Sequence, residues 1–243
     1  MLSILTYNVN GMTLKNSIKP LTSWVLSTKA DVLCFQELFL RSRQIQVQSL
    51  LEEHGYTVYV PYEVPSLVGS GLLTAVRTES SWKVRCSRFA PFLQYGYWDT
   101  FASKGSFGLN LYHSNGSCMK IVNTHMQSPP IGMRFFVNPI HVQLIRTNQA
   151  SELIQQWGDS TDPVFIAGDF NENVPSHPRL IPLCCKTPCS TYLSTGEVLD
   201  HIVWVDGTCP TAPSVHSVSV IPPSIAPWSD HQPLLLNLVC SRT

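Results

Sequence analysis

The segment Gly168-Asp169-Phe170-Asn171 directly follows an apolar run, Pro163-Val164-Phe165-Ile166-Ala167. A run of this kind predicts a buried strand, and the Pro- and Asn-containing stretch 172–178 predicts that the strand ends there. Residues two apart on an extended strand point to the same side, so Asp169 and Asn171 would direct a carboxylate and a carboxamide at one small ligand, such as a metal-bound phosphate. Asp and Asn also favour turns, so an Asx turn that only closes the strand is the alternative.

Bulk composition indicates a single domain spanning 1–243. The 243 residues are 44% hydrophobic, which is ample for one α/β core, and only 13% are charged. Sixteen Lys and Arg residues balance sixteen Asp and Glu residues, so no bulk field draws the chain to nucleic acid or anionic lipid. This balance argues against a nonspecific nucleic-acid binder, although a local basic patch remains compatible with it.

The segment Met1–Val9 has no basic region, long apolar stretch or cleavage site, so it predicts a first strand rather than a secretion signal. No segment reaches the ~20 apolar residues of a membrane span. We therefore expect no transmembrane segment and favour an intracellular location, the compartment otherwise being undetermined. The eight cysteines are then expected to be mostly reduced and buried. A zinc site at Cys184-Cys185 and Cys189 is a minor alternative, because no paired Cys/His set accompanies them.

Hydrophobic periodicity predicts a mixed α/β sandwich, because strands are interspersed with helices and hairpins. Residues 82–101 are rich in aromatic side chains, which we expect to pack in the core or on a sheet. Asn115-Gly116 predicts a hairpin turn. The predicted strands cover 2–9, 30–37, 55–60, 71–76, 106–112, 119–125, 163–167, 198–204, 215–221 and 233–240, and the predicted helices cover 17–29, 41–54 and 140–157.

Polar side chains recur where the predicted strands end. Hydrolysis of a phosphate ester needs an attacking water, a base for its proton, and positive charge to meet the developing oxyanion. Carboxylates can hold a hard cation such as Mg²⁺, and histidine suits proton transfer near neutral pH. Each residue has a structural alternative, such as a turn, a solvated acid or a satisfied core histidine; Asp200, inside an apolar strand, is the hardest to explain without a partner. The residues are Asn8, Glu37, His125, Asp169, Asn171, Asp200, Asp230 and His231.

The ordered motifs resemble the endonuclease/exonuclease/phosphatase superfamily. The resemblance implies a four-layer α/β sandwich with two central mixed β-sheets flanked by helices. It also implies a Mg²⁺-dependent phosphodiesterase, with Mn²⁺ as a substitute, whose site lies at one edge of the sandwich. The motifs are Thr6-Tyr7-Asn8-Val9, Phe35-Gln36-Glu37, Asn123-Thr124-His125, Gly168-Asp169-Phe170-Asn171, Leu199-Asp200-His201-Ile202 and Ser229-Asp230-His231.

The resemblance also implies roles for these residues. Glu37 is similar to the principal metal ligand, with Asn8 beside it, and Asp230 to an auxiliary metal or hydrogen-bonding residue. His231 is similar to the general base and Asp200 to the carboxylate that orients it. The remaining roles fall to three residues: Asp169 and Asn171 resemble the groups that position the nucleophile and bind phosphate, and His125 resembles the histidine that contacts the scissile phosphate or assists the leaving group.

Further stretches resemble the neutral sphingomyelinase branch and imply a phospholipid headgroup as substrate. They are Ala102-Ser103-Lys104-Gly105, Asn123–Ser128 and Arg146-Thr147-Asn148-Gln149. Lys104 is a candidate cation for the substrate phosphate, the alternative being an exposed loop lysine. His201 departs from the branch, which has an aromatic residue there.

The sequence leaves the substrate class, membrane contact and oligomeric state open. A DNA or RNA nuclease of the same superfamily is the alternative function, and a catalytically silent binding module is a third possibility that the intact set of site residues disfavours. Peripheral membrane contact is possible through 89–98 or 131–139, and the sequence favours no oligomeric state. The cations that a nucleic-acid groove would require are Arg41, Arg43, Lys83, Arg85 and Arg88.

Overall fold

The computed structural model describes residues 1–11, 18–61, 68–129, 138–183, 190–209, 214–221 and 229–239. The strands are β1 Leu2–Asn8, β2 Val32–Gln36, β3 Tyr56–Tyr59, β4 Leu73–Arg77, β5 Trp82–Pro91, β6 Gly105–His113, β7 Cys118–His125, β8 Val164–Asp169, β9 Leu180–Pro182, β10 Asp200–Val205, β11 Ser214–Val220 and β12 Leu234–Val239. The α-helices are α1 Ile18–Ser27, α2 Arg41–Glu53 and α3 Pro139–Trp157, and a 3₁₀ helix covers Tyr97–Phe101.

The described strands form two mixed six-stranded sheets. The first sheet has the order β11-β12-β1-β2-β4-β3, and the second has the order β5-β6-β7-β8-β10-β9. Each sheet contains one parallel pair at its centre, β1 with β2 and β7 with β8, while the other pairs are antiparallel. The expectation of two central mixed sheets is confirmed.

Alternation along the strands divides the core into layers. Ile4 packs in a cluster shared by the inner faces of both sheets, whereas its neighbour Leu5 packs on the opposite face against α1 and α2. On the outer face of the second sheet, Val122 and Ile166 pack against Leu153 of α3. The order of layers is therefore helices, sheet, sheet and helix, as the four-layer expectation requires.

A buried amide pair joins the two sheets. Gln36, at the end of β2, donates through Nε2 to Asn123 Oδ1 in β7 at 2.7 Å. Asn123 Nδ2 in turn donates to the main-chain oxygens of Phe35 and Leu73, both at 3.0 Å. Gln36 directly precedes Glu37, and Asn123 lies two residues before His125. The pair therefore fixes the two sheets relative to each other beneath the candidate site.

The structure differs from the sequence-based prediction mainly in the aromatic-rich stretch. Trp82–Pro91 forms β5, an edge strand with many exposed residues and a register shift between Val84 and Cys86, so its periodicity was too irregular to predict a strand. The three-residue β9 was also missed. Strand β4 begins at Leu73 rather than at Gly71, which has a φ of 70°.

Several remaining expectations concern cysteines and membrane segments. Cys34, Cys86, Cys118 and Cys209 are free thiols; Cys34 is buried as predicted, whereas Cys118 and Cys209 are half-buried and Cys86 is exposed. The cluster of Cys184, Cys185 and Cys189 and most of 131–139 lie outside the described residues. No helix among the described residues is long and apolar enough to span a bilayer.

Candidate active site

The candidate site lies where the central strands of both sheets end. Because β1 and β2 are parallel, Asn8 at the end of β1 lies beside the end of β2, which Glu37 follows. In the second sheet, His125 and Asp169 are register partners at the ends of β7 and β8, and Asp169 is also the register partner of Asp200. His125, Asp169 and Asp200 therefore form one row across the second sheet.

Asn8 connects the carboxylates of the two sheets. Its Nδ2 donates to Glu37 Oε1 at 3.1 Å and to Asp169 Oδ2 at 2.9 Å, and its Oδ1 accepts from the main chain of Asn10 at 3.0 Å. Glu37 has a φ of 65°, and a Cβ at Gly11 would lie 2.1 Å from the Glu37 main-chain oxygen. This turn therefore depends on glycine at position 11 to bring the Glu37 carboxylate into the site.

Glu37, His125 and Asp169 form a donor set that fits a divalent cation. One ligand atom from each lies within 4.8 Å of the others. Burial raises the pKa of Glu37 and of Asp169, which reflects the cost of placing two carboxylates in a confined site. The two carboxylates, Glu37 and Asp169, are the oxygen ligands that Mg²⁺ or Mn²⁺ prefers, so the residues present match the cofactor that the sequence implied.

His231 and Asp200 form a buried dyad. His231 Nδ1 lies 2.7 Å from Asp200 Oδ2, and His231 Nε2 lies 3.8 Å from Asp169 Oδ2. Burial lowers the pKa of His231, but the charges of Asp200 and Asp169 outweigh burial and raise it to about 10. A carboxylate can only accept from Nδ1–H, so Asp200 leaves Nε2 directed toward the donor set.

His125 lies on the opposite side of Asp169. Its Nε2 is 3.6 Å from Asp169 Oδ2 and 3.9 Å from Glu37 Oε1. Burial, with the charges of Lys104 and His231, holds the pKa of His125 well below 6.5, so the ring is neutral. Neither ring nitrogen has a hydrogen-bond partner among the described residues, which disfavours the alternative of a satisfied core histidine.

Residues 5–231 match the family model described as the Endonuclease/Exonuclease/phosphatase family. The chain belongs to this family. Its members are metal-dependent phosphodiester hydrolases, and the chain is an enzyme of that class. No curated protein matches the sequence.

Several solved structures share the fold of this chain. Sphingomyelinase C from Streptomyces griseocarneus has a TM-score of 0.69 at 16% identity, over 97% of this chain and 98% of that chain. Beta toxin from Staphylococcus aureus (F277A, P278A mutant), with bound magnesium ions, has a TM-score of 0.71 at 16% identity, over 97% and 98% of the two chains. D. rerio TDP2 with a single-strand DNA product has a TM-score of 0.74 at 17% identity, over 98% and 99%.

In this family member, the segment Gly168-Asp169-Phe170-Asn171 adopts the Asx turn that the sequence allowed as the alternative. Asp169 Oδ1 accepts from the main-chain N–H of Asn171 at 2.8 Å, as in an Asx turn, while Oδ2 accepts from Asn8. Asn171 lies beyond β8 with a φ of 53°, so the expectation that strand geometry places both side chains on one side is wrong. The turn itself keeps Asn171 at the site.

Asp230 and Lys104 occupy different surroundings from the donor set. Asp230 Oδ1 accepts from Asn10 Nδ2 at 3.0 Å, and Asp230 lies outside the donor set of Glu37, His125 and Asp169. Lys104 is buried, which excludes the alternative of an exposed loop lysine. Its Nζ donates to the Met126 main-chain oxygen at 3.0 Å and lies 3.5 Å from Asp99 Oδ1.

The structure also adds supporting residues that were not assigned roles from sequence. Ser229 Oγ donates to the Asn8 main-chain oxygen at 2.7 Å and accepts from the His231 main chain at 3.1 Å. Thr191 Oγ1 accepts from the main-chain N–H of Asp200 at 2.9 Å. The motif Ser229-Asp230-His231 contained a signal for the serine, whereas Thr191 lies in an irregular stretch with no pattern to identify it.

Proposed function

We propose that this enzyme hydrolyses a phosphodiester by water attack, with His231 as the general base. The strongest support for this proposal is the dyad: Asp200 Oδ2 lies 2.7 Å from His231 Nδ1, and His231 Nε2 lies 3.8 Å from Asp169 Oδ2 in the donor set. In this geometry Nε2 takes a proton from a water placed between it and the phosphate, and Asp200 stabilises the resulting imidazolium.

Glu37 and Asp169 would hold a divalent cation, Mg²⁺ or Mn²⁺, with Asn8 fixing the two carboxylates 3.1 Å and 2.9 Å from its amide nitrogen. When bound, the cation would supply positive charge to the developing oxyanion and offset the carboxylate charge that raises the His231 pKa. This arrangement makes Glu37 a ligand and Asn8 the group that orients it.

His125 and Asn171 would contact the phosphate. The neutral imidazole of His125 offers one N–H, which can donate to a phosphate oxygen or to the leaving oxygen. Asn171 Nδ2 donates to the Met126 main-chain oxygen at 3.3 Å, which fixes its carboxamide beside Asp169. Lys104 would not contact the phosphate directly, because its buried ammonium already binds the Met126 main-chain oxygen and lies beside Asp99; it would instead contribute positive charge to the site.

For the substrate, we favour a phospholipid headgroup cleaved in a sphingomyelinase-like reaction. Equal numbers of acidic and basic residues support this assignment, as do the branch-like stretches around Lys104, His125 and Arg146. The positions of the cations support it further. Pro91, at one end of β5, pairs with Gly105, which in turn pairs with His125 of the site. Lys83 and Arg85 lie toward the other end of β5. They are therefore several strand residues, about 20 Å, from the site and cannot line it.

A nuclease is the second candidate, favoured by one observation. Arg41 and Arg43 begin α2 shortly after Glu37, and Arg43 Nη1 donates to the Gly11 main-chain oxygen at 3.0 Å beside the Glu37 turn. Two cations at one side of the site could contact a nucleic-acid backbone.

A substrate panel separates the two candidates. Purified protein with Mg²⁺ is assayed against sphingomyelin and phosphatidylcholine vesicles and against single- and double-stranded DNA, with EDTA and the inactive-base variant His231→Ala as controls. The proposal expects lipid cleavage that EDTA stops and that Mg²⁺ or Mn²⁺ restores. Cleavage of DNA alone would transfer the assignment to the nuclease, and chelator-insensitive turnover would remove the metal from the mechanism.

A further inference from the structure

Exposed apolar side chains gather around the candidate site on three segments. Leu93 is 82% exposed, Ile140 77% and Val174 70%. These exposed fractions are high for aliphatic residues. Single exposed apolar side chains are common on protein surfaces, but a group of them marks a contact site. We call the set the apolar rim: Leu93, Tyr95, Phe101, Ile140, Leu144 and Val174.

The three segments that carry the apolar rim contact one another. The loop after β5 runs along α3, where the Tyr97 hydroxyl lies 3.2 Å from His141 Nδ1. From α3, Gln143 Nε2 donates to Glu172 Oε2 at 3.2 Å and to Ser176 Oγ at 3.1 Å. The loop, the start of α3 and 172–176 therefore form one continuous part of the surface.

The same segments are attached to the strand ends that carry the site. Gly96 donates its main-chain N–H to Gln127 Oε1 at 2.8 Å, and Asp99 Oδ2 accepts from the Ser128 main chain at 2.9 Å. Residues 127 and 128 lie two and three positions after His125, and Val174 follows Asn171 by three residues. Whatever surface the apolar rim contacts is thus held next to the phosphate site.

The apolar rim lacks exposed charge. In 93–101, 138–144 and 172–176, which are all described, the Asp, Glu, Lys or Arg residues are Asp99 and Glu172, and both are buried. Nucleic acid and anionic membranes are bound chiefly through Lys and Arg, so this composition disfavours both. Protruding aliphatic side chains with a tyrosine suit the boundary between headgroups and acyl chains.

We propose that the apolar rim docks on an electrically neutral lipid bilayer, such as one of zwitterionic phospholipids, and so presents headgroups to the site. The choice of a lipid as substrate rests on the proposed function, but the docking itself does not require turnover. Insertion of a few apolar side chains gives reversible binding, because each buried apolar group adds only a small increment to membrane affinity.

Cosedimentation with vesicles tests the docking directly. The protein in EDTA is mixed with vesicles of phosphatidylcholine and sphingomyelin, with and without phosphatidylserine. The variant Ile140→Gln/Leu144→Gln is expected to bind about tenfold more weakly than wild type, and Leu93→Gln to bind more weakly as well. Ile45→Gln is the matched control, because Ile45 is also an exposed aliphatic residue on a helix but lies on α2. It should bind like wild type.

Hydrolysis of a water-soluble phosphodiester by the same variants separates docking from chemistry. The proposal expects unchanged turnover of the soluble substrate and unchanged thermal unfolding in all of them. The docking would be overturned if wild-type protein did not bind neutral vesicles or bound only vesicles with phosphatidylserine. It would also be overturned if Ile45→Gln weakened vesicle binding as much as Ile140→Gln/Leu144→Gln does. If vesicle binding behaves as expected but only DNA is cleaved, the docking stands and the proposed lipid substrate fails.

Discussion

Gln36 and Asn123 are joined by a buried 2.7 Å hydrogen bond that crosses from one sheet to the other, one residue before Glu37 and two before His125. Each amide makes further contacts within the core: Gln36 Nε2 with Thr6 Oγ1 at 3.1 Å, and Asn123 Nδ2 with the Leu73 main-chain oxygen at 3.0 Å. The relative position of the carboxylate and the imidazole of the site thus depends on a polar contact inside an apolar core.

Asn123→Leu is expected to lower the free energy of unfolding by about 1–3 kcal/mol, because it leaves buried polar groups without partners. Turnover should fall as well, since Glu37 and His125 lose their common anchor. Urea unfolding measures the first effect and steady-state kinetics the second. Asn110→Leu, at a partly exposed position in β6, is the control and should change neither property appreciably.

His231→Ala is expected to abolish turnover while the protein still folds, because the general base is removed. Asp200→Asn should lower kcat by about 10⁴-fold with a smaller effect on KM, since the wrong ring nitrogen is then protonated. Single-turnover rates and circular dichroism measure both effects. A His231→Ala protein with wild-type kcat would contradict the assignment of the base.

Metal binding is expected to stabilise the protein through Glu37 and Asp169. In excess Mg²⁺ the midpoint of thermal unfolding should rise. At a Mg²⁺ concentration of 100 times the dissociation constant, the free energy of unfolding should increase by about 2.7 kcal/mol. Glu37→Gln should remove most of this increase, because one carboxylate is lost. Glu79→Gln, at the surface, should retain it; equal Mg²⁺ responses in the two variants would argue against Glu37 as a ligand.

Asp31 predicts a pH dependence of stability far from the site. Burial raises its pKa, but its hydrogen bonds with Arg77 (2.6 Å) and Ser3 prevail, and the pKa lies below the ordinary 3.8. A depressed folded-state pKa contributes stability at pH values above the unfolded pKa, and that stability is lost as pH falls through the folded value. Wild type should therefore exceed Asp31→Asn by about 1–3 kcal/mol at pH 6, and the difference should shrink below about pH 4. A constant difference from pH 6 to pH 3 would contradict this reading.

Gly168→Ala is expected to destabilise the fold by about 3 kcal/mol or more, because the added Cβ would lie 2.0 Å from the Thr124 main-chain oxygen. Gly116→Ala provides the comparison: its φ is also positive, at 92°, but nothing lies within 4 Å of the new Cβ. It should cost about 1 kcal/mol, the conformational part alone. Similar losses in both variants would mean that the clash at Gly168 is relieved by a small shift of β7.

Much of this architecture was predictable because its signals are local. Apolar runs gave the central strands, and polar residues at their ends gave the chemistry that Asp200 and His231 display as a pair at 2.7 Å. The irregular edge strand β5 and the conformation of Asn171 were not predictable, since a register shift and a left-handed turn leave weak patterns.

Two other features depend on contacts between distant parts of the chain. Nothing in a short window shows that Lys104 is buried against Met126 and Asp99. The apolar rim is similarly assembled from separate segments, whose exposed residues would look like ordinary isolated hydrophobics in the sequence. Contacts of this kind follow from packing, which a linear pattern does not contain.

The position of β1 between β2 and β12 has a consequence for biosynthesis. Strand β1 cannot pair with β12 until the chain between them has been synthesised, and folds with such long-range pairing form slowly. The hydrogen bond from Ser229 to Asn8 and the dyad of His231 with Asp200 form at the same late stage. Hydrolytic competence should therefore appear only after the segment from Ser229 to β12 has been synthesised and has packed against β1, which makes activity a sensitive reporter of that late folding step.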